Sequence, residues 1–142
     1  MEREYKLAEQ YHLQGNNCIE SVLKTCNDTM NLQLPDVAIR MASGMGGGIG
    51  RSGCVCGALS GACLVIGALV GRLTPDEKPL PEVYQYTSEF HDRFKAHFGA
   101  TCCRALNTLS FGTPEYRKHC IKITATAADM VSDFVAEKGL LK

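Results

Sequence analysis

Between Cys54 and Gly71 the chain runs for eighteen residues without a charge. A fold for this chain has to take that segment out of water. Eighteen uncharged residues reach the lower edge of a membrane-spanning helix. Gly57, Gly61, Gly67, Gly71 and Ser60 dilute its hydrophobicity, however, and it stands alone among amphipathic segments. Those segments need a core partner, and a helix that is apolar all round supplies one. Gly57-x-x-x-Gly61 and Ala58-x-x-x-Ala62 let neighbouring helices approach closely. The segment is therefore read as the central buried helix of a bundle, with no membrane association.

The flanking sequence predicts the helices around it. The first covers Glu2 to Gln14, with Tyr5, Leu7, Ala8, Tyr11 and His12 near one side, and Gly15-Asn16-Asn17 breaks it. The second runs from Cys18 to about Met30; Asn17 is a good N-cap, and Glu20 completes a capping box. Its apolar side carries Cys18, Ile19, Val22, Leu23 and Cys26. A short helix over Val37 to Ala42 follows Pro35-Asp36. Arg72 to Glu82, with Pro75, Pro79 and Pro81, reads as a linker. The next helix, Val83 to about Phe98, places Val83, Tyr86, Phe90, Phe94 and Phe98 at helical spacing. A short helix spans Cys102 to Asn107 after Thr101 as N-cap, and Pro114 opens a last helix to about Glu137 with Cys120, Ile123, Ala127, Met130 and Phe134 inward. No alternating strand pattern of useful length occurs. The expected fold is all-α: one compact domain over residues 1–142, a bundle of six or seven helices around a central apolar, glycine-rich helix.

Net charge is +0, with no basic block and no Trp, which removes the electrostatic footprint of a nucleic-acid binder. The N-terminal Met1-Glu2-Arg3-Glu4-Tyr5-Lys6 contains no apolar run. The chain is accordingly read as cytoplasmic, where eight cysteines do not make a static disulfide framework. Metal binding or thiol chemistry is the alternative. Cys26 and Cys63 are expected to be buried fillers of the core.

The other cysteines fall at particular places. Cys18 follows an N-cap, Cys54 and Cys56 sit where a glycine-rich loop becomes a helix, and Cys102 and Cys103 follow Thr101. Helix N-termini favour a thiolate, so lowered pKa values are expected there. Cys120 lies two turns into its helix and would reach a shared site from the side. The loop, Ser43 to Gly53, carries so many glycines that its backbone can approach something closely. A nest of N–H groups from Gly46, Gly47 and Gly48, with Gly57 beyond, would suit a thiolate or a cluster sulfur. The match of Gly48 to Gly53 to a dinucleotide-binding G-x-G-x-x-G has no strand before it, so no nucleotide is expected. No C-x-x-C and no C-x-x-C-H occurs, which excludes a thioredoxin-like site and covalent haem. Zinc-ribbon and ferredoxin spacings are absent too, so any site must gather distant segments. His12, His91, His97 and His119 have structural readings first.

In this order the cysteines resemble the redox-active proteins labelled C_GCAxxG_C_C. The likeness covers nearly the whole chain. It rests on Asn16-Asn17-Cys18, on Met45-Gly46-Gly47-Gly48 through Cys56-Gly57-Ala58-Leu59-Ser60-Gly61, on Phe98-Gly99 before Cys103-Arg104-x-Leu106, and on Cys120. Cys54 and Cys102 are the alternates to Cys56 and Cys103. The resemblance implies a redox role, with a distant similarity to split-Soret cytochromes from which only the iron–sulfur half could carry over. Three readings follow. In the first, Cys18, Cys56, Cys103 and Cys120 bind an iron–sulfur cluster or zinc for electron transfer with an unidentified redox partner. In the second, Cys56 or Cys54 attacks as a low-pKa thiolate in thiol–disulfide exchange. In the third, the uncharged helix pairs with a partner or with itself, as in a homodimer. Whether the chain is an enzyme, an oxidoreductase, or an electron carrier stays open at this point.

Overall fold

The uncharged segment lies at the centre of a helical array in the computed structural model, which describes residues 2–141. Among the described residues there are seven regular helices, and no strand beyond one isolated antiparallel bridge, Val55 with Cys102. The helices are α1 (Glu2–Leu13), α2 (Cys18–Met30), α3 (Asp36–Ala42), α4 (Gly57–Val70), α5 (Leu80–Phe98), α6 (Cys103–Leu106) and α7 (Pro114–Glu137). The central helix α4 packs against α2, α5 and α7, while α1 lies across α2 and α7. Its 14 residues span about 21 Å, short of the roughly 30 Å of a bilayer's hydrocarbon. No helix among the described residues is long and apolar enough to cross a membrane.

Local chemistry sets most of the boundaries. Asn17 and Glu20 form the expected capping box at α2: the Glu20 N–H donates to Asn17 Oδ1, and the Asn17 N–H to Glu20 Oε1, both at 2.9 Å. Thr113 caps α7 through the Tyr116 N–H at 3.2 Å. Four predicted starts shift, that of α3 by one residue, from Val37 to Asp36. Helix α4 begins at Gly57 rather than Cys54, because residues 54–56 are extended and pair with residues 101–103; the Cys56 N–H donates to the Thr101 carbonyl at 2.8 Å. The same pairing makes Cys102, not Thr101, the N-cap of α6. Helix α5 begins at Leu80 inside the expected linker, since Pro81 is tolerated in a first turn that needs no N–H donor.

The core is one cluster built from α2, α4, α5 and α7, with Ile19, Val22, Leu59, Ile66, Phe90 and Phe134 among its fully buried members. Phe90 meets Phe134 edge to face at 5.5 Å, joining α5 to α7. Helices α2 and α4 touch through the small residues of α4. A Cβ at Gly61 would stand 3.2 Å from Ile19 Cγ1 and 3.3 Å from Val22 Cβ, tighter than ordinary packing. The inner face of α1 differs from expectation. Ala8 is fully buried, Tyr5, Leu7, Tyr11 and His12 are half-buried, and beside Ala8 the buried residue is Glu4, whose carboxylate is held by Arg3 Nη2 at 2.9 Å.

Candidate functional site

The Ser43 to Gly53 segment turns left-handed as it runs toward α4. After a single 3₁₀ turn over Ser43–Met45, five successive residues have positive φ: Gly47 at 67°, Gly48 at 71°, Ile49 at 69°, Gly50 at 58° and Arg51 at 68°. Each non-glycine in that region costs about 1–2 kcal/mol, so the run depends on its glycines. Gly48 is fixed a second way: a Cβ there would meet the Cys54 backbone N at 2.5 Å. The turn is closed by backbone bonds within it, Gly53 N–H to the Gly47 carbonyl at 3.2 Å and Cys54 N–H to the Gly48 carbonyl at 3.1 Å. It is docked on α2 through Asn17, whose Nδ2 donates to the Ser43 carbonyl at 2.9 Å beside Gly46.

Four cysteines from four helices line one cavity of about 980 Å³ next to this turn: Cys18 of α2, Cys56 at the N-cap of α4, Cys103 of α6 and Cys120 of α7. Cys18 Sγ lies against Gly57, where any Cβ would collide with it. Cys56 and Cys103 are carried on the two facing segments of the antiparallel bridge. Gly46, Gly47 and Gly57 also line the cavity; Gly48 does not, being buried under the Cys54 backbone. Cys54 and Cys102 are exposed and outside it. Cys26 is fully buried in the core and Cys63 packs against it. All eight cysteines are free thiols. Among the described residues no three His, Cys, Asp or Glu side chains converge closely enough to hold a metal ion.

The electrostatics correct one expectation. Burial raises the pKa of Cys18, although the Gly47 and Ile19 N–H groups pull the other way. Burial, with Cys18 and Cys103 nearby, pushes Cys56 up to about 12 against the Ala58 and Leu59 N–H groups. The lowered values read from their helix N-termini are therefore overturned at both: the loss of water outweighs the partial charge of a helix end. Cys120 is raised by burial and eased by Asn107.

Residues that sequence reasoning passed over complete the site. Asn107 is 6% exposed and tied on every side. Its Nδ2 donates to the Tyr116 carbonyl at 2.9 Å and to Cys120 Sγ at 3.1 Å, while Oδ1 accepts from the Leu109 N–H at 3.2 Å. These neighbours fix the amide orientation, so one N–H is committed to the sulfur. The Tyr116 hydroxyl is 4.0 Å from Cys103 Sγ. Burial and the thiols of Cys120 and Cys103 hold its pKa above the ordinary tyrosine value. Tyr116 and Cys120 are four residues apart on one helix face, a spacing that could have linked them. Arg51 at the cavity rim lies over the Phe111 ring, 4.3 Å from its centroid. His119 is occupied elsewhere, its Nε2 bonded to the Leu106 carbonyl at 2.9 Å.

The sequence profile of the family described as "Putative redox-active protein (C_GCAxxG_C_C)" matches residues 16–134, a span that contains all four cavity cysteines. The chain is also 30% identical over 122 residues to an "Uncharacterized protein" of Archaeoglobus fulgidus, covering 80% of this chain and 81% of that one. No solved structure matches it.

Proposed function

The chain belongs to the C_GCAxxG_C_C family of redox-active proteins, and from that premise we propose that it transfers electrons through an iron–sulfur cluster held by Cys18, Cys56, Cys103 and Cys120. The observation that carries this reading is the convergence on one cavity of four thiols separated by up to a hundred residues of chain.

The donor set fits such a group. Four cysteine thiolates are the usual ligand set of such a cluster, and Cys18, Cys56, Cys103 and Cys120 would supply them. When bound, a cluster supplies one-electron transfer, and metal coordination would deprotonate the buried thiols outright. The protein supplies the surroundings. The Gly47 and Ile19 N–H groups face Cys18, those of Ala58 and Leu59 face Cys56, and the Asn107 amide faces Cys120. Each favours negative charge on sulfur and so bears on the potential.

Thiol–disulfide exchange begun by Cys56 is less well supported, and its alternate, Cys54, is exposed and outside the cavity. With a pKa of about 12, Cys56 would be thiolate to the extent of on the order of 10⁻⁵ at pH 7, too little for an efficient nucleophile. A purely structural binding module leaves the N–H groups aimed at sulfur without a role.

Anaerobic purification followed by iron and acid-labile sulfide analysis and a visible spectrum tests the proposal. The expected product is brown and contains both elements, and each of Cys18→Ser, Cys56→Ser, Cys103→Ser and Cys120→Ser loses colour. A colourless wild-type protein that resists anaerobic reconstitution defeats it.

A further inference from the structure

We infer that the outer part of the same cavity binds a small organic anion, an acidic head on an apolar or aromatic body. This deepens the redox reading by naming the class of molecule that meets the centre, but the site itself does not require the centre to be loaded. Its volume of about 980 Å³ lies at the top of the roughly 300–1,000 Å³ range of small-molecule pockets. A cluster against the four sulfurs would fill only part of it.

The charge in the cavity has one sign. Arg51, Arg117 and Lys118 line it, and no Asp or Glu does, although the chain as a whole carries 15 basic and 15 acidic residues. The groups that shift Cys18, Cys56 and Cys120 are burial, N–H donors, the other thiols and Tyr116, with no arginine or lysine among them. Nor do the two arginines face a carboxylate. Arg51 rests on the Phe111 ring, and Arg117 Nη2 donates to the His12 and Leu13 carbonyls at 3.2 and 3.3 Å. Among the described residues neither guanidinium pairs with a carboxylate. His12, on the same wall, has its pKa lowered by burial and by Arg117. Two guanidinium groups without a carboxylate partner, flanking a cavity with Leu13, Leu106, Phe111 and Ile121 in its walls, suit a molecule with one anionic end and one apolar end.

Titration calorimetry of the metal-free chain with benzoate, phenyl phosphate, neutral benzamide and inorganic phosphate tests this. Benzoate or phenyl phosphate should bind at least about tenfold more tightly than benzamide, since a charge-assisted hydrogen bond carries at least that factor. Arg51→Gln and Arg117→Gln should each weaken the aromatic anion by about the same factor, while Arg72→Gln, at the far end of α4, should not. Arg51 is exposed, so its variant keeps the test decisive even where loss of Arg117 unsettles α1. Equal binding of benzoate and benzamide, undiminished affinity in both arginine variants, binding of inorganic phosphate alone, or no binding would each overturn the inference. Iron and sulfide content of the same preparation, measured after reconstitution, reports separately on the cluster: an iron-free protein that still selects benzoate sinks the centre and leaves this site standing.

Discussion

Cys26 and Cys56 are both buried thiols, and in both burial is the largest influence on the sulfur, yet they sit in opposite kinds of surroundings. At Cys26 nothing opposes burial, and the nearby Glu4 carboxylate adds to it, so the thiol is held near 12. Cys63 is likewise raised by burial alone, to about 11. At Cys56 two backbone N–H groups oppose burial, and at Cys18 the Gly47 and Ile19 N–H groups do the same. Burial is thus common to filler and site. What separates them is whether the backbone is arranged to accept negative charge on sulfur. Backbone N–H groups at Cys18 and Cys56, and a side-chain amide at Cys120, have no counterpart at Cys26 or Cys63, which supports the proposal of chemistry in the cavity and packing in the core.

The comparison breaks most directly through cofactor content. Cys26→Ala and Cys63→Ala should keep the iron and sulfide that the four cavity substitutions lose. If a core substitution bleached the protein while Cys103→Ser or Cys120→Ser did not, the division would be wrong. The next largest effect concerns Gly57. An added methyl in Gly57→Ala collides with Cys18 Sγ and crowds Ile19, at a cost of about 1–3 kcal/mol in unfolding free energy. It should also lower cluster occupancy. Gly61→Ala crowds Ile19 and Val22 alone, so it should cost similar stability with full occupancy. Denaturant melts with iron analysis check both.

Alkaline pH sharpens the contrast between the two sets. A thiol whose pKa is raised on folding stabilises the fold below its unfolded value, near 9, and loses that contribution as pH rises through the folded value. The metal-free chain should therefore weaken between about pH 9 and 12, and Cys26→Ala should flatten that decline. Urea midpoints at pH 7, 9 and 10.5 measure it; equal slopes in both proteins would refute the assignment. In the loaded protein the cavity thiols are already deprotonated, and their share of the slope should vanish. The smallest effect is expected at Asn107. Asn107→Ala removes a donor from Cys120 and leaves the Leu109 N–H without its acceptor, for a loss of about 1–2 kcal/mol and a lower potential of the centre. Voltammetry of the reconstituted variant reads the potential.

Much of this was legible one element at a time. The capping box at Asn17, Pro114 at the start of α7 and the phenylalanine spacing of α5 depend on neighbours within a turn or two, and they appear where the sequence put them. The family pattern named Cys18, Cys56, Cys103 and Cys120, the four that line the cavity. The start of α4 was misread by three residues, because the backbone of Cys54 to Cys56 pairs with a segment some forty-five residues away. No local propensity carries that information.

By itself, then, the order of amino acids determined which stretches are helical and which helix must be innermost, while the family resemblance pointed to the four thiols that line the cavity. Only the three-dimensional packing decided the state of those thiols, the burial of Glu4, the attachment of Asn107 to Cys120, and the single sign of charge around the cavity. The reason is one of range. Helix formation and capping are contests between groups a few bonds apart, whereas the cost of removing a sulfur or a carboxylate from water is set by every neighbour the fold brings to it.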